Sequence, residues 1–333
     1  MSDNTGQPAQ QILAQATVTS WLKDLVNADR SPHTVRSYSQ ALQQFLMWYV
    51  DEEQQPLAIS DLTPITLIGY RNYLQHDRIR AANTINIHVA ALRAWCIWLV
   101  EQHLISINPA ARLRSVGRQT PSQPKCLSDR QINALLREAQ RTHNPWRDYA
   151  IIQLLLQTGM RIGECAALNY GDITFRERSG IVRVRAGKGN KTRIVPLNIS
   201  ARKALADYVA PVLGAEPTIE SVVAVWPRDN GFKHPQPLWV SRRSTRLSVQ
   251  AMRRMIDDVV NICALRHLVP AETSAHTLRH SFAMNYLSEN PGDLIGLATL
   301  LGHSSLDTTR IYGQPTADQL ASRVERLKLN AYL

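Results

Sequence analysis

Between residues 15 and 107 the apolar positions recur every three to four residues, the spacing that turns one face of a helix toward a core. Residues 17–27 align Val18, Trp21, Leu22 and Leu25. Ser31-Pro32 reads as an N-cap with proline in the first helical position, where φ is already set and the missing N–H costs nothing. Behind it Val35, Tyr38, Leu42, Phe45, Leu46 and Tyr49 keep helical spacing. A third helix is predicted from a start at Ser60 through Ile65, Ile68, Tyr70 and Leu74. A fourth spans about 83–103, with Ile87, Ala91, Trp95, Trp98 and Leu99 inward. Four helices with no strand signal predict a helical domain over 15–107, preceded by a polar segment, 1–14, expected to be disordered.

Asn108-Pro109 ends that pattern. Residues 108–126 mix Arg, Gly, Pro, Ser and Gln with few apolar positions and read as a linker, whose Arg112, Arg114 and Arg118 either track a phosphate backbone or are simply solvated. A second domain is expected over 127–333. Ser128-Asp129 caps a helix with Ile132, Leu135, Leu136 and Ala139 inward, and the apolar run Ala150 to Leu156 predicts another. The period then changes to two: Ile181, Arg183 and Arg185 alternate with Val182 and Val184, and Arg193 to Leu197 is a second strand-like run. The tip between them is Gly187-Lys188-Gly189-Asn190-Lys191-Thr192. From Ser200 the pattern is helical again, broken by a Pro- and Gly-rich loop around 226–240. Residues 248–262 form an amphipathic helix, and a last helix, 316–329, puts Leu320, Val324 and Leu327 on one stripe.

Composition narrows the classes. Of 333 residues, 44% are hydrophobic and 20% charged, which suits a globular chain. No apolar run is long enough for a membrane span, and the polar start carries no signal-peptide core, so a cytoplasmic location is expected. Cys96, Cys126, Cys165 and Cys263 are far apart and form no CxxC pair, which argues against a zinc knuckle or a disulfide framework. Lys plus Arg number 38 against 27 acids, a net +11 that favours a polyanionic partner. Arg228, Lys233, Arg242, Arg243, Arg246, Arg253 and Arg254 stand against one acid, Asp229, and read as a phosphate-facing surface.

Four segments carry candidate chemistry: Thr158 to Glu164 (TGMRIGE), the 187–191 tip, His276-Thr277-Leu278-Arg279-His280, and Leu301-Gly302-His303 continuing to Thr308-Thr309-Arg310-Ile311-Tyr312-Gly313. Each alone is bland. Arg161 after a glycine turn is commonly a surface ion-pair residue, Lys188 a solvated tip, and Tyr312 on a short helix between Asp307 and Gly313 a packing residue. His276 and His280 share the i, i+4 spacing of some zinc helices, but Arg279 between them would repel a cation, and a structural role is the simpler reading. Together they form a set suited to cutting a phosphodiester without a metal. Arg161 and Arg279 offer guanidinium forks to non-bridging oxygens. His276, three residues before Arg279, shares its helical face, and His303 can add a hydrogen bond. Tyr312 supplies a nucleophilic oxygen, and Lys188 can protonate the departing 5′ oxygen.

The order Arg, Lys, His-x-x-Arg, Leu-Gly-His, Tyr resembles the signature of the tyrosine recombinases, the phage-integrase superfamily. HTLRHSFA, LLGHSSLDTTRIY, TGMRIGECAAL and GKGNKTRIVPL carry that resemblance over about residues 127–315. It implies that Arg161, Lys188, His276, Arg279, His303 and Tyr312 are catalytic, that Lys191 is the nearby alternative to Lys188, that Glu164 supports the first arginine, and that His280 is structural. It implies a mainly α chain: an N-terminal four-helix core-binding (SAM-like) domain, then an α+β catalytic domain of mostly helices with a small antiparallel sheet. It implies strand exchange through a 3′-phosphotyrosine and a Holliday junction, with neither cofactor nor metal, for resolution or integration. The partners implied are double-stranded DNA recombination sites and three further copies in a homo-tetramer, with helix 316–329 packed in trans and an accessory protein or second recombinase as a further partner. The layout resembles the two-domain Xer-like and transposon-resolving members, without an additional arm-binding domain. The rival readings are a metal-dependent nuclease using His276, His280, His303 and Asp307, a non-catalytic DNA-binding protein of the same fold, and a topoisomerase.

Overall fold

The computed structural model describes residues 13–117, 126–185, 192–227, 236–303, 305–313, 321 and 324–325, and the chain divides into two units, 1–121 and 122–333. In the first unit α1 (Ala14–Asn27) begins where Leu13 pairs with Ala58, and it buries Ala14, Val18 and Trp21. Proline sets the next start: α2 (Pro32–Glu53) is capped by Ser31, whose hydroxyl accepts from the Thr34 N–H.

The third helix differs from its sequence expectation. Residues 59–61 form a single 3₁₀ turn, and α3 (Pro64–His76) begins later, because Thr63 accepts from the Thr66 N–H and Pro64 fixes the first helical φ. Its inward face is Leu67, Tyr70 and Leu74; Ile65 is 83% exposed and Ile68 36%. In α4 (Ala82–Glu101) Ile85, Val89, Leu92, Trp95 and Leu99 face inward, and Ile87 is turned outward. His88 takes the buried position instead, because its Nδ1 meets the Tyr70 hydroxyl at 2.9 Å and satisfies both polar atoms. Phe45, Trp48 and Tyr70 pack ring against ring across this core, with centroids 5.1–6.1 Å apart.

Part of the segment read as a linker packs on these helices. Leu113 is buried, its carbonyl accepts from Arg93, and the Asn86 amide brackets the Val116 backbone at 2.8 and 3.0 Å. Arg112 and Arg114 stay exposed on that packed stretch, while Arg118 lies outside the described residues.

The second unit opens with α5 (Asp129–Ala139), held by a Ser128–Gln131 capping box. Next comes α6 (Pro145–Thr158), which is buried on most sides and ends at Gly159. After α7 (Ile162–Ala167) the chain forms a three-stranded antiparallel sheet, β1 (Ile173–Phe175), β2 (Gly180–Val184) and β3 (Arg193–Pro196), in that order, with Val182 opposite both Ile173 and Val195. β1 was not anticipated; three residues are too few to display a period of two. The sheet is followed by α8 (Ile199–Leu213), α9 (Ile219–Val225), α10 (Val249–Leu265), α11 (Ala275–Glu289), α12 (Leu294–Leu301) and α13 (Asp307–Gly313). The expected class, mainly α with a helical first domain and a small antiparallel sheet in the second, is the one observed.

The basic stretch divides by role. Arg246 is exposed, but its guanidinium is engaged within the fold, donating to the carbonyls of Ala166 and Leu168 at the end of α7 and to the Asn169 side chain, and so caps that helix end. Arg242 and Arg243 are exposed in the turn between Ser241 and Thr245, and Arg228 and Lys233 lie outside the described residues. Of the tail helix expected at 316–329, residues 321 and 324–325 are helical with Val324 exposed; the rest lies outside the described residues.

Candidate active site

Two helix ends and one inserted helix build the site. α6 stops at Gly159 and α12 at Gly302, with φ of +60° and +65°, a left-handed conformation that glycine adopts without strain. Space also demands glycine there. A Cβ on Gly159 would lie 2.3 Å from the Phe282 ring, and one on Gly302 would lie 2.7 Å from the Arg193 guanidinium. The carbonyls exposed at these ends carry the negative pole of their helices.

Arg279, on α11, reaches both. Its Nη1 donates to the Gly159 carbonyl at 2.5 Å and its Nη2 to the Leu301 carbonyl at 2.9 Å. Nη2 also lies 2.9 Å from His303 Nε2. Arg279 is buried, and burial together with Arg161 pulls its pKa down to about 10, which still leaves it cationic at neutral pH. One guanidinium thus fixes the two turns that carry Arg161, two residues beyond Gly159, and His303, two beyond Leu301.

Because an arginine only donates, His303 Nε2 accepts in this contact, and Nδ1 carries the proton to the buried Thr309 hydroxyl at 2.7 Å. Burial, then Arg279 and Arg161, bring the His303 pKa down to about 4, consistent with a neutral ring. Donation from Nε2 to a phosphate therefore requires a proton on Nε2, gained either by protonation of the ring or by a change of tautomer in which the Thr309 hydroxyl donates to Nδ1.

Arg161 caps α7 and is exposed, with its side chain 46% accessible. Its Nη1 lies 3.0 Å from Glu164 Oε1, and its backbone N–H donates to Oε2 at 2.8 Å. Arg193, the first residue of β3, grips the same carboxylate with both nitrogens and donates through Nε to the Leu300 carbonyl. Burial works against the Glu164 charge, but the bonds from Arg193 and from the Arg161 backbone outweigh it and hold its pKa below the ordinary value.

Tyr312, on α13, packs its ring with Ala283, Leu297 and Leu301 and is 7% exposed. Its hydroxyl is 2.7 Å from His280 Nδ1. Burial raises the Tyr312 pKa, against the opposing pull of Arg279 and Arg161. Burial, His276 and Arg279 lower that of His280 to about 4. Both groups are thus neutral, and in the tautomer that carries the imidazole proton on Nε2 the phenol donates to Nδ1. His276 is exposed one turn before His280, the two rings meeting edge to face at 4.8 Å.

Of the residues singled out in the sequence, Arg161, His276, Arg279, His303 and Tyr312 are brought together with Glu164; Lys188 and Lys191 lie outside the described residues. Two participants carried no signal of their own, Arg193, reading as one arginine in a strand, and Thr309; His280, read in the sequence as structural, makes a bond to Tyr312 that spans 32 residues.

Residues 125–319 match the phage integrase family, and residues 18–103 match the phage integrase N-terminal SAM-like domain. The chain is 34% identical over 292 residues to the tyrosine recombinase XerC of Myxococcus xanthus, covering 87% of this chain and 89% of that protein. It is 30% identical over 308 residues to XerC of Syntrophus aciditrophicus (strain SB), covering 89% and 91%. Among solved structures the fold is similar to the XerH site-specific recombinase bound to palindromic difH substrate in a post-cleavage complex, at 18% identity and a TM-score of 0.68, covering 97% of this chain and 92% of that one. It is similar too to the Tn1549 transposon integrase in complex with a circular intermediate DNA, at 20% identity and a TM-score of 0.69, covering 93% and 99%.

Proposed function

Since the chain belongs to the phage integrase family and is a site-specific DNA recombinase of the tyrosine class, we propose that Tyr312 is its nucleophile and that Arg161, Lys188, His276, Arg279 and His303 handle the phosphate. The Tyr312 oxygen attacks the scissile phosphorus, and the bond to the 5′ oxygen breaks. Lys188 delivers the proton that makes that oxygen a hydroxyl. Arg161 and Arg279 take the charge growing on the non-bridging oxygens, with His276 and His303 as further donors. A 5′-hydroxyl from the partner duplex then attacks the 3′-phosphotyrosine. Bond energy is conserved, so neither nucleotide nor cofactor is consumed.

The observation that carries this reading is the grouping itself. Arg161, Arg279, His303 and Tyr312 come from three separate segments, and each is fixed by hydrogen bonds on α11 or at the helix ends beside it. The nuclease and non-catalytic alternatives are not favoured, because the relatives are tyrosine recombinases. Double-stranded DNA is the partner in this reading, in line with the solved structures of similar fold bound to difH substrate or to a circular intermediate DNA, and the cytoplasm is its place of action. Four copies act on two duplexes, with the 316–329 helix of each packed on a neighbour; the exposure of Val324, a position on its apolar stripe, agrees with a cover from outside the chain.

The test is Tyr312→Phe, which removes one oxygen and little packing. Fold and DNA binding should persist, and covalent protein–DNA adducts on a nicked suicide substrate should disappear. Adducts at wild-type yield would place the nucleophile elsewhere.

A further inference from the structure

A phenol that attacks phosphorus must lose its proton, and none of the residues assigned above takes it. The hydrogen bond at the phenol points to the acceptor. Tyr312 Oη lies 2.7 Å from His280 Nδ1, and with the ring proton on Nε2 the neutral imidazole offers the Nδ1 lone pair to the O–H. His280 sits on α11, one residue after Arg279, so the helix that fixes the arginine also fixes the imidazole. The ring of His280 stands 5.4 Å from that of Tyr312, and Tyr312 is nearly buried, so little water reaches the hydroxyl to compete. From this geometry we propose that His280 is the general base of the cleavage step, taking the Tyr312 proton on Nδ1 as the Oη–P bond forms and returning it when the tyrosine is released.

The step balances. The Oη–H electron pair becomes the new Oη–P bond, the proton moves to Nδ1, the P–O5′ bond breaks, and O5′ receives a separate proton from Lys188, the acid proposed above. In rejoining, the 5′-hydroxyl gives its proton back to the neutral Lys188 amine as O5′–P forms, Oη–P breaks, and His280 reprotonates the phenolate. No oxidant or metal is consumed.

The surroundings make this base conditional on substrate. The charges acting on His280 are those of His276 on the same helix and the adjacent Arg279; Arg161, from the start of α7, acts on His276 and Tyr312. All are positive or become so, and they disfavour a second proton on the ring while the site is empty. A phosphate set among Arg161, His276 and Arg279 offsets them, so the imidazole becomes a stronger base when the scissile bond is in place.

The inference rests on Tyr312 being the nucleophile and is tested by single-turnover cleavage of a suicide substrate across pH. Asparagine can keep an acceptor near the Nδ1 position but holds no proton. His280→Asn should bind the site as wild type does in a gel shift, yet cleave about 100-fold more slowly at pH 7, the lower range for a lost general base. Wild type should gain rate with pH through a limb between about 4 and about 6.5 and then level off, whereas the Asn variant should keep rising in proportion to hydroxide. His280→Ala should recover on adding imidazole, which covers the case in which the Asn variant does not fold. A His280→Asn profile superimposable on wild type, or an Ala variant whose cleavage is unchanged or is restored by no added base, would overturn the assignment. Adducts surviving in Tyr312→Phe would instead overturn the nucleophile; adducts lost there, with His280 variants unimpaired, would remove His280 alone.

Discussion

Glu164 and Arg193, 29 residues apart in the chain, form a two-pronged ion pair with nitrogen–oxygen distances of 3.0 and 2.8 Å. Arg161 rests on the same carboxylate at 3.0 Å, so a strand arginine with no place in the proposed chemistry sets the position of one that has.

Removing Arg193 should therefore act twice. Both partners of the pair are largely buried, and Arg193→Ala leaves Glu164 with the exposed Arg161 alone, a loss of about 3 kcal/mol in stability. Cleavage should fall further than DNA binding, because Glu164 is then able to pull Arg161 away from the phosphate. Arg193→Lys should recover only part of either loss, since an ammonium cannot match both oxygens. Urea denaturation and suicide-substrate cleavage measure the two effects; a stable, fully active Arg193→Ala protein would show that the pair is dispensable.

Lys188 is testable through the leaving group. An acid matters only when the departing oxygen needs a proton. Lys188→Ala should slow cleavage of ordinary DNA strongly and do little to a substrate with sulfur at the bridging 5′ position, because a thiolate leaves unprotonated. Equal defects on both substrates would assign Lys188 to positioning or shift the acid to Lys191.

Acid should destabilise the catalytic unit before its carboxylates titrate. His280 and His303 both have folded pKa values of about 4, each lowered first by burial and then by neighbouring positive groups, against about 6.5 unfolded. Between those values the unfolded chain holds more protons, so stability is fully present above about pH 6.5 and falls as pH drops toward 4. His276 acts in the same direction. Glu164, with its lowered pKa, adds a loss only below the ordinary carboxylate value near 4.5. Melting temperatures from pH 7.5 to 4.5 should decline, and the decline should be shallower in His303→Gln. A flat wild-type profile would mean that these rings take up protons as readily in the folded protein as in the unfolded chain.

The tail separates binding from assembly. A chain ending at Gly313 should bind a single site as a monomer and lose cooperative binding and strand exchange, because the apolar stripe Leu320, Val324 and Leu327 would no longer bridge neighbours. Wild-type cooperativity and recombination in that truncation would rule out the contact in trans, and a misfolded product would favour burial within the chain.

Helix spacing, the proline start at Pro32 and the glycine turn before Arg161 were legible in the sequence, because each depends on residues within a turn or two of one another. The set of two arginines, histidines and a tyrosine was legible for another reason: chemistry restricts the residue types, and their order along the chain is open to view. Which face of α3 and α4 turns inward was not, since Ile65 and Ile87 are as apolar as Leu67 and Val89 and only neighbouring helices choose between them. Nor was the grip of Arg193 on Glu164, the binding of Arg279 to the ends of α6 and α12, or the bond from Tyr312 to a histidine read as structural. Those contacts join residues 22 to 120 positions apart, and no local period records a distance that exists only once the helices have packed.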